Sequence, residues 1–141
     1  MSKLSNNKGF TIIESTVAIL IILIALFGIT QFFPLGIRII GDSQSQTIAS
    51  NVALTKIEEL RSLNYEEINT GTIETKSRVS SDPANALFNF QRQTIVETVD
   101  NNFNASASDV GLKKITTTVY WQSPVVAKEK SITFQYIIAD Y

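Results

Sequence analysis

The chain contains no cysteine and no histidine. The first absence rules out disulfides, thiolate nucleophiles and thiolate metal sites. The second removes the usual general base near neutral pH and the commonest side-chain metal ligand, which turns the reading away from an enzyme. An excess of either charge is missing too. With 12 Lys and Arg against 13 Asp and Glu the formal net charge is -1, so no basic surface points to nucleic acid. No glycine-rich phosphate loop follows a strand-like run, and no serine has a base beside it. At 141 residues the chain suffices for one modest domain.

What is present is apolar and unevenly spread. Hydrophobic residues make up 44% of the chain, and they crowd toward its N-terminus. From Ser15 to Ile37 no side chain carries a charge, which as a helix covers roughly 34 Å, enough to cross a bilayer core. Lys3 and Lys8 precede the run, whereas Arg38 and Asp42 follow it and nearly cancel. The positive-inside tendency therefore puts the N-terminal residues in the cytoplasm and the remainder outside. The run is longer than the apolar core of a secretory signal, which spans roughly 7 to 15 residues. It is also apolar on every face, unlike the core helix of a small soluble protein. A membrane anchor is the reading left. Pro34 lacks an N–H and crowds the preceding turn, so it is the expected kink, aided by Gly28 and Gly36.

After Gly41 the texture changes. Ile48, Val52, Ala53, Ile57 and Leu60 form one apolar stripe on a polar helix, with Lys56, Glu58, Glu59 and Arg61 as its solvated side and Asn64 near its end. One continuous helix from Phe10 to Leu63 is expected, with only its second half amphipathic. The rest alternates with period two. In residues 87–99 Phe88, Phe90, Thr94 and Val96 share one parity, and in 115–121 Ile115, Val119 and Trp121 do so. From Ser131 onward Ile132, Phe134, Tyr136 and Ile138 share a face, and the last two strands should form a hairpin. A weaker strand over 72–80 has only Ile73 and Val79 as anchors. The expected fold class is α+β, a long N-terminal α-helix packed on a C-terminal antiparallel β-sheet.

Two constellations look chemical and are set aside. Asp100, Asn102, Asn104, Ser106 and Ser108 are spaced like oxygen ligands of a calcium loop, but Ala105 stands where the turn needs glycine and Gly111 where the bidentate glutamate belongs. No metal and no cofactor is expected. Tyr120 beside Trp121 suggests base stacking, yet neighbouring strand residues face opposite ways and only Lys113 and Lys114 supply positive charge nearby. Core packing accounts better for Trp121.

The opening stretch is the distinctive one. Lys8, Gly9, Phe10, Thr11 and Glu14, leading directly into the apolar run, resemble the class III signal of type IV pilins and the related pseudopilins. The resemblance implies that a membrane-embedded prepilin peptidase cuts between Gly9 and Phe10 and N-methylates Phe10. It implies further that Glu14 pairs with the new Phe10 amine of a neighbouring subunit. A carboxylate in mid-membrane costs about 2.5 to 3.5 kcal/mol, so it calls for such a partner. Across the remaining chain NVALTKIEELRSLNYEEI, TTTVYW and SITFQYIIADY look like minor pilins and minor pseudopilins. The chain departs from major pilins in lacking the disulfide-closed loop and in carrying its helix proline a few residues late, at Pro34.

On this resemblance residues 1–9 are a leader, 10–40 a transmembrane and filament-core helix, 41–64 its amphipathic continuation and 65–141 a globular head with the pilin fold. The implied role is a structural subunit of a type IV pilus, acting in initiation or at the tip. The alternatives are a minor pseudopilin of a type II secretion system and an unprocessed, single-pass, membrane-anchored binding domain. The implied partners are prepilin peptidase, other pilin subunits through helix packing at Ile13, Val17 and Leu20, the cytoplasmic membrane and, indirectly, an assembly ATPase and platform protein. The implied location is the cytoplasmic membrane and then a filament.

Overall fold

The computed structural model describes residues 9–123 and 125–140, so residues 1–8, with Lys3 and Lys8 and most of the expected leader, lie outside the described residues, as do Pro124 and Tyr141. The chain divides into two compact units, Met1–Arg38 and Ile39–Tyr141. One α-helix, α1, runs from Ile12 to Arg61. A 3₁₀ turn over Tyr65–Glu67 follows. Among the described residues four strands come next: β1 (Gly71–Arg78), β2 (Phe90–Thr98), β3 (Leu112–Gln122) and β4 (Glu129–Ala139). They form one antiparallel sheet in the order β1-β2-β3-β4, a meander in which each strand pairs with the next. The fold is α+β.

The helix begins where its first donor finds an acceptor. Thr11 Oγ1 accepts the Glu14 N–H at 3.2 Å, an N-cap that satisfies one of the first-turn donors the helix cannot. The helix continues through Pro34. At the far end Ser62 N still donates to the Glu58 carbonyl at 3.1 Å. The chain then turns at Asn64, whose N–H donates to Glu67 Oε2 at 3.0 Å.

The apolar stripe of α1 is buried as the periodicity demands. Val52, Ala53, Ile57 and Leu60 are buried and Ile48 is half-buried, and Ala49, outside the expected set, is fully buried with them. Two clusters result. Ala49, Val52 and Ala53 meet Phe90, Val119 and Trp121. Ile57 and Leu60 meet Ile68, Val96 and Ile115. Small alanines opposite large aromatics let the layers interdigitate, and each large apolar side chain so buried contributes about 1.5–3 kcal/mol. Register carries the pattern across the sheet: Phe90 pairs with Trp121 and Val96 with Ile115, while Val119 pairs with Ile132 and Thr117 with Phe134. The β3–β4 hairpin expected from the alternation is present.

The edge strand β1 departs from expectation. Ile73, expected to anchor it, is exposed, whereas Val79, just past its end, packs against the first cluster. The two clusters draw their strand residues from β2, β3 and β4, so β1 gains little cover. Its pairing with β2 breaks register twice. Strand β2 is also shorter than 87–99, because Leu87 and Phe88 belong to a turn closed by Phe88 N on the Asn85 carbonyl and Phe90 N on the Leu87 carbonyl. Gly111 closes the β2–β3 loop at φ +82°, a conformation that a β-carbon disfavours.

Candidate functional site

The residues singled out by the sequence lie at the start of α1. Gly9, Phe10 and Thr11 precede the helix without regular structure, and Phe10 is 72% exposed. A β-carbon added at Gly9 would meet no atom within 4 Å. The Gly9–Phe10 peptide therefore lies in an open, exposed stretch before the helix.

Glu14 lies one turn into the helix, in the first-turn position that the helix dipole favours for an acid. Beside it stand the hydroxyls of Thr11, Ser15 and Thr16, and beyond them the helix surface is apolar. The hydroxyls around it find partners inside the helix: Ser15 Oγ donates to the Thr11 carbonyl at 3.3 Å and Thr16 Oγ1 to the Ile12 carbonyl at 2.9 Å. Farther along, Thr30 Oγ1 donates to the Phe27 carbonyl at 2.9 Å. This is how a helix carries hydroxyls where water is scarce. A carboxylate has no such outlet, and Glu14 takes part in none of the salt bridges among the described residues. Ile13, Val17 and Leu20 are exposed beside it. Between Glu14 and Ile37 the helix exposes Ile, Leu and Phe on all sides, and α1 is long and apolar enough to cross a membrane.

The head adds polar sites that the sequence did not announce. Lys113 is buried, and its ammonium donates to the Tyr65 carbonyl at 2.8 Å and the Ile68 carbonyl at 2.9 Å while lying 3.9 Å from the Tyr65 ring centroid. The Tyr65 hydroxyl donates to Asp109 Oδ1 at 2.6 Å, and Gly111 N donates to the same oxygen at 2.8 Å. Burial and this hydrogen bond push the Tyr65 phenol well above its ordinary value. The phenol's hydrogen bond, then the Gly111 N–H, hold the Asp109 carboxyl below its own. The alternation in β3 carried the signal for Lys113, since it shares parity with Ile115, Val119 and Trp121. Lys114, on the other parity, reaches Glu97 at 3.4 Å.

A second cluster joins the helix to the hairpin. Lys130 Nζ donates to Asp42 Oδ2 at 2.5 Å. This hydrogen bond and a smaller one from Ser123 hold the Asp42 carboxyl below its ordinary value, with a minor contribution of the same sign from the Trp121 indole. Asp42 Oδ1 and Trp121 Nε1 are nonetheless inaccessible and without a closed hydrogen bond.

The calcium-like loop folds on itself. Asp100 Oδ1 accepts the N–H groups of Asn102 and Asn104, each at 2.9 Å, so its carboxylate serves the turn. Asp109 is taken by Tyr65. No group of three His, Asp or Glu side chains suited to a metal occurs among the described residues. Trp121 is a core residue, whereas Tyr120 lies on the opposite face under the Lys76 ammonium, 4.1 Å from its ring centroid. No family model, curated protein or solved structure matches the chain.

Proposed function

We propose that the chain is a structural subunit of the minor-pilin kind, cut between Gly9 and Phe10, held in the membrane by the apolar part of α1 and assembled through that helix into a filament of type IV pilus character. One observation carries the reading. Just after an exposed, uncrowded Gly9–Phe10 peptide, Glu14 is the one charged side chain between Phe10 and Ile37, at the start of a long apolar helix surface, with no salt-bridge partner among the described residues. Cleavage creates a positive amine at Phe10, and a second subunit then offers it to Glu14. Pairing desolvated charges fixes the register between subunits, because either charge alone is costly in lipid. A helix long and apolar enough to cross a membrane, ahead of an α+β head, supports the same reading.

Intact mass spectrometry of the protein, alone and coexpressed with a prepilin peptidase, tests this. Loss of the residues through Gly9 plus addition of one methyl group is expected. An intact N-terminus in the native host sinks the proposal and leaves a single-pass anchored domain.

A further inference from the structure

The head contains a cleft of about 790 Å³. Its lining includes the consecutive residues Tyr136 to Asp140, faced by Leu63 and Glu66 from beyond the helix end and by Phe103 from the β2–β3 loop. Successive side chains of a strand point to opposite faces. A run of consecutive strand residues therefore lines one cleft through the strand's edge, where its backbone groups are presented.

That edge is the unguarded one. In the sheet order β1-β2-β3-β4 only β1 and β4 have a free side. Strand β1 is blunted by two register breaks and by Glu74, Lys76 and Arg78, devices that keep edges from pairing. The start of β4 is likewise tied down, with Glu129 on Lys76 at 2.7 Å and Lys130 on Asp42. From Tyr136 to Ala139 there is no charge and no proline, and the pairing with β3 runs unbroken to Leu112↔Ala139. Exposed apolar groups stand around it: Phe103 is held out at a positive φ of 63°, and Leu63 and Tyr136 are partly exposed.

The charges around the cleft select among partners. Arg61 is committed, its guanidinium 2.7 Å from Glu58 and 5.0 Å from the Tyr136 ring centroid. Glu66 and Asp140 enter no salt bridge among the described residues, which leaves the cleft net acidic.

We propose that the cleft beside the C-terminal half of β4 binds an extended segment of a partner protein as a fifth strand, with alternating apolar and basic side chains. Main-chain hydrogen bonds to Tyr136–Ala139 supply the hold, apolar side chains meet Leu63, Phe103 and Tyr136, and Lys or Arg meets Glu66 and Asp140. This binding does not depend on cleavage at Gly9 or on filament formation.

The test uses the full chain in detergent micelles and three capped heptapeptides. One alternates valine with lysine, one alternates valine with glutamate, and one is the valine–lysine peptide N-methylated along both edges. The valine–lysine peptide is expected to slow amide hydrogen exchange within Tyr136–Ala139 and to bind about tenfold more tightly than the glutamate peptide at low salt. N-methylation along the pairing edge should weaken it by about tenfold or more. The double variant Glu66→Gln, Asp140→Asn should erase the preference for lysine while keeping the exchange protection. Unchanged exchange at Tyr136–Ala139, or equal binding by the N-methylated peptide, overturns the proposal. So does protection that rises with protein concentration in the absence of peptide, which makes a second copy of the chain the occupant.

Discussion

Lys113 Nζ donates a 2.9 Å hydrogen bond to the carbonyl of Ile68, a residue 45 positions earlier, inside the head. The same ammonium holds the Tyr65 carbonyl, so one buried cation ties the segment after α1 to the sheet. Removing it leaves the Ile68 carbonyl unsatisfied, the Tyr65 carbonyl with only the Ile68 N–H at 3.3 Å, and the Tyr65 ring without its cation. Lys113→Ala should destabilise the head by about 2–4 kcal/mol. Lys113→Met, which keeps the stem's packing but not the charge, should recover only part of this. Chemical denaturation of the full chain in micelles, followed by fluorescence of the lone tryptophan, Trp121, checks both.

The Tyr65–Asp109 hydrogen bond sets limits in pH at both ends. Asp109 has a folded-state pKa below the ordinary 3.8. Its contribution is present above that value and is lost as pH falls through the folded pKa. Tyr65 has a folded-state pKa above the ordinary 10.0. Its contribution is complete below that value and is lost as pH rises, because the unfolded chain releases a proton that the folded one keeps. Stability should fall on both sides of a neutral plateau. Asp109→Asn should flatten the acid limb, and Tyr65→Phe should flatten the alkaline limb while lowering the plateau. Unfolding midpoints measured across pH read all three effects.

Thr117 is fully buried in β3 and its hydroxyl has no hydrogen-bond partner. A desolvated, unpaired hydroxyl is a standing cost, and valine has nearly the same shape without it. Thr117→Val should therefore stabilise the head by about 1 kcal/mol. Thr94→Val, its cross-strand neighbour, should not, since Thr94 Oγ1 donates to Glu74 Oε2 at 3.3 Å. The contrast between the two in the same denaturation assay decides the point.

The sequence made the layered plan legible because each layer repeats a period. The stripe from Ile48 to Leu60 and the parity of Ile115, Val119 and Trp121 are set by how a helix and a strand present side chains, and both are buried as read. Ile73 misled because its apolar character says nothing of which strand ends at the sheet's edge. Lys113 was half legible: its parity with Ile115, Val119 and Trp121 pointed inward, but a lysine reads as solvated until the fold supplies the Tyr65 and Ile68 carbonyls. At the N-terminus the order of Gly9, Phe10 and Glu14 was visible at once, because the chemistry proposed there depends on local sequence and on a second chain.

Asp42 and Lys130 connect residues separated by 88 positions, beside the Trp121 indole. Lys130→Met removes the cation and leaves Asp42 Oδ1, already without a hydrogen bond, on an uncompensated carboxylate. Asp42→Asn removes the charge that needed compensation. Lys130→Met should accordingly destabilise the head more than the double variant with Asp42→Asn does. Trp121 emission should shift on changing Asp42, since the carboxylate stands next to its N–H. Equal losses from the single and double changes would show that the pair is not coupled.

In the proposed filament role, anchoring and assembly place opposite demands on Glu14. Insertion into the membrane disfavours a carboxylate by about 2.5 to 3.5 kcal/mol, so Glu14→Ala should enter the membrane at least as well as the native chain. Filament formation depends on the opposite term. The Phe10 amine of the docking subunit then has no counter-charge, and breaking a buried pair by removing one partner costs about 3–5 kcal/mol, more than about a hundredfold in equilibrium. The variant should be processed and found in the membrane fraction, yet be nearly absent from sheared filaments. Because Glu14 belongs to neither core cluster of the head, the denaturation midpoint should not move, which excludes misfolding as the cause. Normal recovery in filaments would remove the charge pair from the assembly mechanism, whatever the fate of the leader.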